Sequence, residues 1–243
     1  RLTAAGKVLQ RWAQRMRLDV QDAQREVGDI GRGLSGQVRI GIVPTAAQFL
    51  LPQAARQLLQ EAPEVSLRTV VALVGTLAPM LRAGELDLVI GTESPEEPGL
   101  ATQLLAEDSI VVAARAGHEI FDGKPTLKDL TRYRWVLQPA GAPTRDWLDH
   151  TFDRKRLPRP RVQVESTMLL MLPALIAETG LLSFVSRHHL GAGTPGHATL
   201  REVPLKETTM RRRMAVTYRR SSYLSPAAQR LIGLLGSAAR AAV

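Results

Sequence analysis

From residue 37 onward the chain alternates short apolar runs with amphipathic ones, and this alternation limits the folds open to it. QVRIGIV (37–43) reads as a buried strand, AAQFLLPQAARQLLQEA (46–62) as a helix, VSLRTVVA (65–72) as a strand, GTLAPMLRAGE (75–85) as a helix and LDLVIG (86–91) as a strand. Buried strands alternating with helices specify a parallel sheet covered on both faces, with ligand sites beyond the carboxyl ends of its strands. ATQLLAEDSIVVAARAGH (101–118) reads as two strands. A second run of the same kind follows: PTLKDLTRY, RWVLQPAG, TRDWLDHTFDRK, RVQVES, TMLLMLPALIAET and GLLSFVSRHH. The chain closes with LREVPL, MRRRMAVTYRR and a helix over 225–243. Two similar α/β lobes are expected, with the closing strand and helix returning to the first. Two crossings, near 109–114 and 206–218, predict a double hinge with a ligand cleft between the lobes.

Ahead of the lobes, residues 2–30 carry apolar or small side chains at Leu2, Gly6, Leu9, Ala13, Met16, Val20, Ala23, Val27 and Ile30. Spacings of three and four define a heptad seam on one long helix. The stripe is narrow for a helix buried in a domain, which favours pairing with a second copy over packing on the chain's own body. Gly28, Gly31, Gly33 and Gly36 supply the helix stop and a linker.

The 243 residues are 44% hydrophobic and contain no cysteine, so disulfides, cysteine-held metals and a thiol nucleophile are excluded. The N-terminus has no apolar signal core and no membrane span, and a cytoplasmic location is expected. The first residue is Arg, which predicts a piece of a longer chain. Lys and Arg number 32 against 23 acids, a net +9 concentrated in 153–161 and 210–220. Neither run has the stacked aromatics or recognition helix of a base reader, and ordinary solvated surface is the plainer reading. His118, His150, His188, His189 and His197 fall in no metal-binding spacing, and no GxSxG elbow or recognisable triad occurs. The expectation is no enzyme, no metal and no cofactor.

RLTAAGKVL, then GLSGQVRIGIVPTAAQFLLP, LRAGELDLVIG, LAEDSIVVAARAGH and ETGLLSF, in this order, resemble LysR-type transcriptional regulators over nearly the whole chain. The resemblance implies an α/β fold of two Rossmann-like lobes with periplasmic-binding-protein type II architecture, preceded by a long dimerisation helix. The corresponding boundaries are 1–31 for the helix, 32–113 with 214–243 for lobe 1, and 114–213 for lobe 2. It implies a small-molecule effector held between the lobes and a homodimer, with pairing into a homotetramer. It implies DNA binding only through a winged helix-turn-helix that RLTAAG would follow, and no membrane partner. Leu9, Met16, Val20, Val27 and Ile30 become the dimerisation residues. A transport-type solute-binding protein shares the fold, but has no use for a heptad helix.

The resemblance also places the effector site. Pro44, Thr45 and Ala46 stand at the first strand-to-helix turn, with Thr45 at a position that contacts effector oxygen in relatives. Its hydroxyl can bond a carboxylate, or cap the helix. Gly75 and Thr76 follow the second strand. Thr92 follows the third, beside Glu93, whose charge would repel an anion unless it pairs with Arg145 or meets an amine. In the second lobe, Pro143, Thr144 and Arg145 open another helix next to Gly141. Arg145 can clamp a carboxylate, or pair with Asp149 one turn on. Ser166 and Thr167, beside Met168, stand at a fourth junction, and Phe184 is a candidate apolar wall. Hydroxyls and backbone donors at helix starts point to a small anionic organic molecule, and the absence of a glycine-rich phosphate loop disfavours nucleotides.

Overall fold

The structure is a computed structural model that describes residues 2–29, 34–190 and 200–241. In chain order the elements are α1 (Ala4–Asp29), β1 (Gly36–Ile42), α2 (Pro44–Phe49), α3 (Leu51–Glu61), β2 (Val65–Val71), α4 (Val74–Arg82), β3 (Leu88–Thr92) and β4 (Leu100–Arg115). They continue with β5 (Arg134–Leu137), α5 (Pro143–Arg154), β6 (Arg161–Glu165), α6 (Leu172–Thr179), β7 (Leu182–Ser186), β8 (Leu200–Glu202), β9 (Met210–Arg219) and α7 (Pro226–Ala241). The chain divides into two compact units: residues to Ala106 together with those from Arg213, and Glu107–Arg212.

In the first unit β1 lies between β2 and β3, parallel to both, and β9 pairs antiparallel with β3. Alternate strand residues face opposite layers. Leu88 and Ile90 of β3 join Ile40, Ile42, Leu58, Leu231 and Leu235 in a core shared with α3 and α7. Val89 faces the other way, against Leu77 and Leu81 of α4. In the second unit β5 is parallel to β6 and β7, and β4 runs antiparallel to β7 and β8. Trp135 and Leu137 pack with Leu148 and Phe152 on one face, and Val136 with Leu172 and Ile176 on the other. Each such buried aliphatic or aromatic side chain contributes about 1.5–3 kcal/mol over leaving it in water.

Three elements differ from the sequence-based expectation. The helix predicted over 46–62 is two helices broken at Leu50, because Pro52 has no N–H to continue the ladder and sits in the first turn of α3. The segment read as two strands is the single 16-residue β4. The helix expected from Thr167 begins only at Leu172, after a 3-10 turn at Leu169–Met171, so Ser166 and Thr167 do not open an α-helix. The crossings between units fall at 106/107, ahead of the expected 109–114, and at 212/213, inside the expected 206–218, so the lobe boundaries placed at 113/114 and 213/214 move by seven residues and by one.

Helix α1 belongs to the first unit, and the stripe that docks there is not the heptad seam. Leu18 and Asp22 are buried, and Arg25 and Asp29 continue that line, whereas Leu9, Met16, Val20 and Val27 are 57–69% exposed. Ile30 lies outside the described residues, as do Gly31, Gly33 and His197. Gly84 receives the docked helix. Its φ of +75° suits glycine, and a Cβ there would stand 2.3 Å from Leu18 Cδ2.

Candidate functional site

The parallel register of β1, β2 and β3 brings their carboxyl ends to one edge of the first unit, Ile42 standing beside both Val71 and Ile90. Gly91 allows the turns there to close up: a Cβ on it would lie 2.8 Å from Val74 and 3.0 Å from Val43. Helix α2 starts from Val43, with Pro44 in its first turn and no side chain capping it, and Ala47 makes the first intrahelical bond, to Val43. Thr45 is therefore not a cap. It is only 5% exposed, and its hydroxyl makes no hydrogen bond to any described residue. Ala46 is wholly buried in the core. Gly75 and Thr76 are exposed in the first turn of α4, which also lacks a side-chain cap. Thr92 lines a cavity of ≈ 30 Å³ with Thr102 and Thr217, room for about one water. Glu93 pairs with Arg213 at 3.2 Å rather than with Arg145, since β3 and β9 are neighbours.

In the second unit β5, β6 and β7 share an edge in the same way, and the Ser166 amide bonds to the Leu137 carbonyl at 3.0 Å. Helix α5 opens with Pro143 in its first turn, again without a side-chain cap. Thr144 donates its hydroxyl to Gln138. Arg145 is held by its own helix: Nε donates to both oxygens of Asp149 at 2.9 and 3.0 Å, and Nη1 to the Gln138 carbonyl at 3.2 Å. Of the two partners expected for Arg145, Asp149 one turn on is the one it takes, and this engages the Nε that an anion clamp would need. Ser166 Oγ accepts from the Met168 amide at 3.0 Å and Thr167 is exposed. Phe184 lies in the core, stacked on Trp147 with ring centroids 5.7 Å apart.

Three of the five arginines in the basic run 210–220 form ion pairs. Arg212 bonds the fully buried Asp108 carboxylate through Nε at 2.7 Å, Arg213 meets Glu93, and Arg219 meets Asp22 at 3.2 Å. The last of these belongs to a network that docks α1. Asp22 is shared by Arg25 and Arg219, and Arg25 also reaches Asp87 at 2.6 Å. Asp87 accepts further bonds from Arg39, through its amide at 2.9 Å and its guanidinium at 3.2 and 2.5 Å. Tyr223 bonds Asp29 at 3.2 Å. Nothing in the sequence marked these partners, because they lie on the polar side of α1 and far apart along the chain.

Burial would raise the Asp87 pKa, but the bonds from Arg39, the charge of Arg39 and the bond from Arg25 outweigh it and hold the group below its ordinary 3.8. A carboxylate depressed in the folded state contributes stability that is present above its unfolded pKa and lost as pH falls through the folded value. Acidification below about pH 4 is therefore expected to lower the melting midpoint by releasing this network. An Asp87→Asn variant should start lower and show a flatter acid limb. Parallel acid limbs in variant and wild type, followed by circular dichroism, would remove Asp87 from the account.

Among the described residues no group of three or more His, Asp or Glu side chains could hold a metal ion, and no helix is long and apolar enough to cross a membrane.

Known proteins resemble this arrangement. The HTH-type transcriptional regulator GalR of Pseudomonas putida is 32% identical over 204 residues, covering 83% of this chain and 51% of GalR. The chain thus spans about half the length of that relative. The Synechocystis CcmR regulatory domain, solved in complex with 2-PG, superposes with a TM-score of 0.72 at 24% identity, covering 85% of this chain and 98% of that one. The effector-binding domain of QuiR, solved with shikimate, gives 0.68 at 15% identity over 85% and 98%. The fold is that of LysR effector-binding domains, a periplasmic-binding-protein type II architecture. With the LysR substrate binding domain model matching residues 31–240, the chain belongs to that family.

Proposed function

We propose that this chain is the effector-sensing and oligomerisation part of a LysR-type transcriptional regulator, and that its effector is a small organic anion. The observation that carries this reading is Thr45, only 5% exposed, whose hydroxyl makes no hydrogen bond to a described residue at the edge where three parallel strands end. A hydroxyl with no protein partner at such an edge can donate to or accept from a ligand oxygen. Three helices, α2, α4 and α5, begin at strand ends with no side chain on their first-turn N–H groups. Those donors favour a carboxylate or similar oxyanion. The ligands named for the CcmR and QuiR structures support a small-molecule effector. Pro44, Gly75, Thr76, Thr92 and Pro143 shape the two edges in this reading, with Thr144 and Ser166 holding the second one through their internal bonds.

The exposed seam of α1 supports the oligomer: Leu9, Met16, Val20 and Val27 form a row that the first unit leaves open. DNA-binding heads of the kind named for GalR would be carried on the paired helices. An effector that binds one state of the assembly more tightly than another shifts the population and so the spacing of the heads.

A thermal-shift screen of organic acids should find ligands that raise the melting midpoint, since binding to the native state stabilises it. For such a ligand Thr45→Val is expected to weaken binding by about 10-fold or more, the worth of one hydrogen bond to a charged group, with the dimer unchanged. Equal affinity by calorimetry would remove Thr45 from the site. Failure of every acid, with neutral sugars or amines binding instead, would overturn the anionic reading.

A further inference from the structure

The two basic runs of the sequence differ in how far acids match them. Arg212, Arg213 and Arg219 of the later run are each matched to a carboxylate and Arg220 reaches the Leu100 carbonyl, which leaves Arg211 as its one arginine with neither among the described residues. The earlier run, 153–161, sits at the end of α5 and the start of β6, and the parallel register places Arg161 directly beside Arg134 of β5. That pairing joins it to a second basic segment, 128–134. Together the two segments hold eight cations, Lys128, Arg132, Arg134, Arg154, Lys155, Arg156, Arg159 and Arg161, against Asp129 and Asp153, which is six of the chain's nine net positive charges. All eight are exposed.

Asp153 is taken by Arg159 at 2.6 Å, and Asp129 lies 3.8 Å from Arg132. Glu119 and Asp122 act on Tyr133 but pair with none of these cations. Among the described residues, Arg134, Lys155, Arg156 and Arg161 make no side-chain hydrogen bond or ion pair. Like charges side by side on neighbouring strands repel, so the Arg134–Arg161 register is unfavourable unless an anion lies across it. Arg156 adds a second cost. It is the one non-glycine residue with positive φ among those described, at 56°, in the left-handed position that closes α5, where glycine is the least strained choice.

We propose that this pole of the second unit, at the amino ends of β5 and β6, binds the phosphate backbone of duplex DNA without reading bases. It lies at the opposite ends of those strands from the candidate effector edge. Guanidinium groups fork onto phosphate oxygens, and a duplex presents about one charge per 1.7 Å of its axis. The patch contains no exposed large hydrophobic residue, which a lipid surface would engage, and its aromatic, Tyr133, is half-buried edge-on against His118 rather than presented for base stacking. The choice of duplex DNA rests on the family, whose relatives are named HTH-type regulators.

The test is fluorescence anisotropy of the 243-residue chain with a labelled duplex of arbitrary sequence, titrated between about 50 and 200 mM salt. Binding should weaken with salt by about −0.9 in log–log slope per phosphate engaged. Arg134→Gln with Arg161→Gln should weaken binding at low salt by about 10-fold and make the slope shallower by about 2, whereas Arg56→Gln with Arg68→Gln, an equal charge change elsewhere, should do neither. Arg156→Gly should weaken DNA binding while preserving or raising the melting midpoint, which separates loss of contact from loss of fold. The proposal is overturned if both double variants lose affinity equally, if no duplex binding occurs at low salt, or if anionic phospholipid vesicles displace the duplex.

Discussion

If the proposed pairing of α1 holds, replacing Met16 and Val20 together with glutamate is expected to leave a monomer, with the dissociation constant of the dimer rising by about 1000-fold or more. Both side chains lie in the exposed row of α1, one helical turn apart, with Leu9 and Val27 extending the row on either side. In a paired seam each would fill a hole on the partner helix, so the variant would bury four carboxylates in an apolar contact with no cations opposite. An unpaired charge taken out of water costs several kcal/mol, enough to overwhelm the gain from a narrow hydrophobic stripe. Glutamate is a good helix former and the docking stripe of Leu18, Asp22 and Arg25 is untouched, so the helix and the first unit should keep their circular dichroism signal. Sedimentation equilibrium near 10 µM decides the matter, a concentration that separates nanomolar from micromolar affinities. A dimer surviving unchanged would place the contact on another surface.

The exposed seam of α1 is legible in the sequence because heptad spacing is a local pattern. The stripe facing the first unit was not legible in the same way. Asp22 and Arg25 look like ordinary solvated residues until Asp87, Arg39 and Arg219, from three distant elements, close around them. The same division holds in the lobes. Strand and helix alternation was readable from apolar periodicity, and so was the place of Thr45, because a strand running into a helix fixes its own turn. The break at Leu50 was signalled by Pro52, but a proline in a first turn is compatible with a helix, and only the tertiary path decides where that turn lies. The pairing of Glu93 depends on β9 returning beside β3, a long-range event that composition does not encode. Arg145 takes the local one of its two expected partners, Asp149 one turn on, which i,i+4 spacing alone makes legible.

Asp108 carries the largest expected effect on folding. Its side chain is fully buried in β4, near the crossing into the second unit, and it accepts from Ser186 Oγ at 2.8 Å and from Arg212 Nε at 2.7 Å, with His188 Nε2 at 3.9 Å. Asp108→Ala should destabilise the second unit by about 3–5 kcal/mol, because it leaves the largely buried Arg212 guanidinium without its counter-charge. Most of that penalty belongs to the stranded cation rather than to the lost bond. Removing both partners in an Asp108→Ala, Arg212→Met double variant should therefore recover more than half of the loss, even though it deletes more native groups. Asp108→Asn should fall between, keeping an acceptor for Ser186 while losing the charge. Urea unfolding followed by tryptophan emission reads this unit directly, since Trp135 is wholly buried in its core whereas Trp12 is already exposed on α1. If the double variant proves no more stable than Asp108→Ala alone, the pair is not acting as a buried ion pair, and the cost must come from the packing around β4 and β7.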